Sequence, residues 1–116
     1  MGVVLRYEGT SIIAVLEGEL DVATVPRARA ELEAALVKPG VRSLILDLTG
    51  VSFMDSSGLG FLLGRYRWCM ENGAVMAVAG ARAQVRRVLE LSGLTKIMPV
   101  TATVGEALAR VGREKR

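Results

Sequence analysis

The chain has 116 residues, 51% hydrophobic and 23% charged, enough apolar material for one core and too little charge for a disordered segment. It contains no histidine, which excludes a serine–histidine or cysteine–histidine nucleophile pair and any histidine metal ligand within these residues, and its one cysteine, Cys69, excludes an internal disulfide. The formal charge of +3 is spread along the chain and only 4% of residues are aromatic, so the concentrated basic patch with stacking rings that direct nucleic-acid binding needs is missing.

In chain order, residues 3–7 alternate weakly and fit an edge strand. Glu8-Gly9-Thr10 is a turn, and residues 11–17 are a second strand, so the two form an antiparallel hairpin. Gly18-Glu19-Leu20-Asp21 leaves that strand. Thr24 is placed to cap a helix with Pro26 in its first turn, and Val25, Ala28, Leu32, Ala35 and Leu36 form its buried stripe. Arg27 and Glu31 face outward and can pair at i,i+4. Lys38-Pro39-Gly40 ends this helix, and Ser43-Leu44-Ile45-Leu46-Asp47-Leu48 is the most strand-like run in the chain. A strand–helix–strand unit of this kind joins parallel strands. The loops carrying Glu19 and Asp21 and carrying Asp55, Ser56 and Ser57 therefore meet at one sheet edge, where open α/β sheets place their sites.

A long helix then opens at Ser56 and runs to about Glu71, stopped by Asn72-Gly73. Residues 74–79 are a buried strand, residues 82–91 a third helix, and residues 97–100 a short last strand. Thr103 and Glu106 form a capping box for a final helix to about Val111, with residues 112–116 as a frayed charged tail. The expected fold is α/β: a single mixed sheet of four to five strands with about four helices, in one domain spanning residues 1–116 and ordered over about 3–111. No basic segment precedes an apolar run, and none approaches the ~18 apolar residues of a membrane span. A cytoplasmic monomer without membrane contact is expected.

The chemistry concentrates in Met54-Asp55-Ser56-Ser57-Gly58-Leu59-Gly60. Asp55 or Ser56 suits the N-cap, and the first N–H groups with the helix dipole also suit a phosphate. Placing Leu59, Leu62, Leu63, Tyr66 and Met70 toward the sheet leaves Phe61, Gly64, Arg65 and Trp68 on the opposite side with Gly60 on the flank. Phe61 and Trp68 would then make a flat apolar strip for a partner, unless a neighbouring helix covers them as core.

The run from Val51 through Gly60, continued by Leu63-Gly64-Arg65-Tyr66, resembles the STAS domain of bacterial anti-sigma factor antagonists. Gly18-Glu19-Leu20-Asp21 and Ser92-Gly93-Leu94 match two further motifs of that family in register. The resemblance implies a STAS fold, no bound cofactor and no catalysis by this chain. It implies that Ser56 is the phosphorylation site. It also implies that the unphosphorylated form binds an anti-sigma factor that is itself an ATP-binding serine kinase, frees the sigma factor, and is reset by a serine phosphatase. Asp55 is expected to cap the helix and touch the partner, Ser57 and Gly58 to permit close backbone approach, and Asp21 to line the same edge. Gly60, Phe61 and Gly64 complete the expected partner surface. A phosphate on Ser56 should weaken the interface without melting the fold. Arg82, Arg86 and Arg87 read as a solvated basic face, and Cys69 as a small packing residue.

A serine hydrolase elbow needs glycine two residues before the serine, where this chain has Met54, and lacks its histidine base. A response-regulator receiver needs an acidic pair after the first strand, where only Glu8 stands, although Lys96 does precede the last. A STAS module of a stressosome-like scaffold keeps the fold and the phosphoserine chemistry with a different partner.

Overall fold

The computed structural model describes residues 1–114, the side chain of Glu114 excepted. Five strands form one sheet in the order β1 (Gly2–Glu8), β2 (Ser11–Leu20), β3 (Ser43–Met54), β4 (Val75–Ala79), β5 (Val100–Thr101). Strand β1 is antiparallel to β2, and the other pairs are parallel. Between and after them lie α1 (Val25–Leu36), α2 (Ser56–Glu71), α3 (Ala83–Leu91), a 3₁₀ turn (Leu94–Lys96) and α4 (Val104–Glu114).

The two-residue period of the strands divides the core into two layers. Ile12, Ala14, Leu16, Leu44, Leu46, Leu48, Met76 and Val78 face α1, α2 and α3, while Ile13, Ile45, Ala77 and Ala79 face Ala107 and Val111 of α4. The buried stripe of α1 is Val25, Ala28, Leu32, Ala35 and Leu36, as its spacing predicts. Gly73 ends α2 at φ +71°, and the Glu106 N–H donates to Thr103 Oγ1 at 3.1 Å to open α4.

Four boundaries differ from the sequence reading. Strands β2 and β3 run on to Leu20 and Met54, pairing through Glu17–Gly50, Gly18–Val51, Glu19–Phe53 and Leu20–Met54 across two register shifts. Residues 18–20 and 51–54 are therefore strand and not loop. The last strand lies at Val100–Thr101, because Ile97 still closes the 3₁₀ turn. Helix α4 continues through Glu114, so residues 112–114 are helical and not a frayed tail; residues 115–116 lie outside the described residues. Thr24 holds the cap position of α1 but makes no side-chain cap bond.

Candidate functional site

The pairing of β2 with β3 carries both strand ends to one rim, where Leu20 lies opposite Met54 and the Asp55 N–H donates to the Leu20 carbonyl at 3.4 Å. Each strand is followed by an aspartate that folds the chain back in the same way. Asp21 Oδ1 accepts from the N–H groups of Ala23 and Thr24 at 3.0 and 3.1 Å. Asp55 Oδ1 accepts from those of Ser57 and Gly58 at 2.9 and 3.2 Å. Among the described residues the second oxygen of each carboxylate makes no hydrogen bond. Thr24 is diverted from capping because its hydroxyl donates to the Glu19 carbonyl at 2.7 Å and accepts from the Asp21 N–H at 3.0 Å.

Ser56 is the first residue of α2, is exposed, and its hydroxyl has no hydrogen-bond partner among the described residues. The helix end beside it is already occupied. Asp55 takes the Ser57 and Gly58 N–H groups with its side chain and the Leu59 N–H with its carbonyl at 3.1 Å. The expectation that several free N–H groups await a phosphate is therefore narrowed: Asp55, the true N-cap, has taken those of Ser57 and Gly58, and among the described residues that of Ser56 itself is left without a partner.

The inner face of α2 is Gly58, Phe61, Leu62, Arg65 and Cys69, one residue out of phase with the expected stripe. Phe61 is 1% exposed and belongs to the core, so it offers nothing to a partner, and Trp68 is half-buried against that core. Leu63 and Met70, expected inside, are 45% and 63% exposed. Gly58 is buried too: a Cβ there would stand 2.7 Å from both the Leu20 carbonyl oxygen and Met54 Cγ. The close backbone approach it permits is to the end of β2, within the chain. Gly60 is exposed and Gly64 half-buried, and a Cβ at either would meet nothing within 4 Å.

Ser57 and Gly60 form one wall of a cleft of about 390 Å³ whose other residues are Val22, Val25, Pro26 and Arg29. The sequence reading missed the α1 wall. It was recoverable, since with Val25, Ala28 and Leu32 buried, Pro26 and Arg29 flank that stripe on the side of the β3–α2 turn. Val22 is 73% exposed at the mouth. Deeper along the α1–α2 seam, Arg65 is buried over the Phe61 ring, with Nη1 3.7 Å from Glu33 Oε2 and no hydrogen bond at Nε or Nη1. Burial pushes the neighbouring Cys69 thiol up to about 11, against the opposing pull of Arg65, which suits a packing residue and not a nucleophile. On α3, Arg86 pairs with Glu90 at 3.2 Å, and Arg82 donates to the Thr49 carbonyl at 2.9 Å.

A family model described as the STAS domain matches residues 3–107. The chain is 42% identical over 89 residues to the anti-sigma F factor antagonist of Paenibacillus polymyxa, covering 77% of this chain and 76% of that one. It superposes on the anti-sigma factor antagonist SpoIIAA in its unphosphorylated form with a TM-score of 0.80 and 33% identity, covering 95% of this chain and 96% of the other. For the Bacillus cell fate determinant SpoIIAA in the phosphorylated form the TM-score is 0.73 and the identity 32%, over 95% of this chain and 99% of the other. Motifs, sheet order and both kinds of likeness agree, and the chain belongs to the STAS-domain family of anti-sigma factor antagonists.

Proposed function

We propose that this domain is a phosphorylation-controlled antagonist of an anti-sigma factor. In its unphosphorylated form it binds, through the rim at the ends of β2 and β3, an anti-sigma factor that is also an ATP-binding serine kinase, and so frees a sigma factor. The kinase phosphorylates Ser56, the complex parts, and a serine phosphatase restores the active form. The domain itself works by binding and not by catalysis. Its contact surface comprises Ser57, Gly60, Gly64 and the outer oxygens of Asp21 and Asp55.

The observation that carries this reading is Ser56 itself: an exposed hydroxyl without an internal partner, on a turn held rigid by Asp55 and by the bond to Leu20. Such a side chain can enter a kinase site without unfolding anything. Its neighbourhood also explains release, because a phosphoryl group brings roughly 1.5 to 2 negative charges to a rim that already carries two carboxylates. The similarity to SpoIIAA, solved in both phosphorylation states, supports the same assignment. No helix among the described residues is long and apolar enough to cross a membrane, which suits a regulator met in solution.

The test is phosphotransfer from labelled ATP in lysate of the source organism, with wild type and Ser56→Ala compared and phosphopeptides mapped. Label on Ser56 alone, absent from the variant, is expected. Equal labelling of both proteins would move the site away from Ser56, and absence of label under every growth condition would leave a binding module whose serine only begins a helix.

A further inference from the structure

We propose that the cleft between α1 and α2 is an anion site whose ligand is the phosphoryl group carried by Ser56, held there by Arg29. The proposal rests on Ser56 being the phosphoacceptor.

A phosphorylated Ser56 finds little counter-charge at the helix end, since Asp55 already holds the Ser57, Gly58 and Leu59 N–H groups and leaves the single N–H of Ser56 itself. Asp55 and Asp21 are themselves anionic, so the turn by itself repels a phosphate. The charged side chain lining the adjoining cleft is Arg29. It is free to act. Its natural i+4 partner on α1 is Glu33, but Glu33 is drawn across the seam to Arg65, and Arg27 is paired with Glu31 at 4.0 Å. Arg29 has no ion pair among the described residues.

No side chain at position 60 stands between Ser56 and the cleft. Gly60 stands four residues after Ser56 and three after Ser57, so it neighbours both on the helix surface, and nothing lies within 4 Å of where its Cβ would be. Val22, Val25 and Pro26 line the cleft beside Arg29 and add no competing charge. A guanidinium also matches two phosphate oxygens at once, which a lysine cannot do. Phosphorylation then does two things at one place: it adds charge to the rim and engages Arg29 in the cleft that the unphosphorylated protein offers its partner.

The experiment installs phosphoserine at position 56 by genetic encoding, so that no kinase is needed, and follows the phosphate by ³¹P NMR titration in wild type, Arg29→Gln and Arg27→Gln. Arg29 and Arg27 are exposed, so both variants keep the fold. The second pKa of phosphoserine, ordinarily about 6, is expected to lie about half a unit lower in wild type than in Arg29→Gln, with Arg27→Gln following wild type. Equal values in wild type and Arg29→Gln would overturn the proposal, as would the same rise in both variants, which would mean a diffuse charge effect. Because the phosphate is installed directly, this outcome is independent of the lysate experiment: label moving off Ser56 there would sink the functional reading and leave the ³¹P result standing.

Discussion

The carbonyl oxygen of Leu20, the last residue of β2, lies 2.7 Å from where a Cβ at position 58 would stand, and Met54 Cγ closes in to the same distance. Real Cβ atoms do not approach backbone that closely, so a side chain at position 58 must push α2 off the end of β2. Gly58→Ala is expected to cost about 1–3 kcal/mol as an overpacking change. Gly60→Ala, where nothing lies within 4 Å, should be neutral or stabilising by up to about 1 kcal/mol, alanine being the better helix former. Urea unfolding of the two variants checks the contrast.

Asp55 holds two N–H groups of α2 with one oxygen. Asp55→Ala should therefore lose about 1 kcal/mol of stability, and Asp55→Asn, which keeps an acceptor, clearly less. Denaturant midpoints for the pair read this directly, and an equal loss in both would assign the effect to charge and not to the cap.

The phase of α2 is open to the same kind of test. Phe61→Ala empties a core position and is expected to cost about 3–5 kcal/mol, whereas Leu63→Ala on the outer face should stay within about 0.5 kcal/mol. The reverse ranking would restore the sequence-based face.

How far the sequence carried depended on which residues wrote the pattern. Helix α1 was legible in its buried face because all five of its buried positions are apolar. Helix α2 was not, because Gly58 and Arg65 sit on its inner face while Leu63 and Met70 lie outside. A glycine leaves no hydrophobic mark, and a buried arginine paired to Glu33 leaves the wrong one. The motif around Asp55 and Ser56 was legible by chemistry. That β2 and β3 continue into it was hidden by Gly18, Gly50 and the exposed Glu17 and Glu19, which look like loop and act as bulged strand. The cleft required two helices to be placed together, which no local pattern records.

Cys69 supplies a pH dependence. Its thiol ordinarily titrates near 9.0 and burial raises it to about 11 in the folded chain. The folded state thus holds the proton longer than the unfolded state, so this contribution is complete below the unfolded value and is lost as pH rises through the folded one. Stability of wild type relative to Cys69→Ala is expected to fall between pH 9.0 and about 11 and to be flat well below that range. Melting curves of both proteins across that range give the difference.

The most direct test of the central claim compares affinity with stability in the same two species. The anti-sigma kinase identified through phosphotransfer would be titrated calorimetrically with the unphosphorylated domain and with the domain carrying phosphoserine at position 56, alongside thermal melts of both. The account predicts affinity weakened on the order of 100-fold by like charge at the rim, with melting temperatures within a few degrees of each other. Equal affinities, or a fall in melting temperature of about 10 °C that accounts for the lost binding, would contradict it.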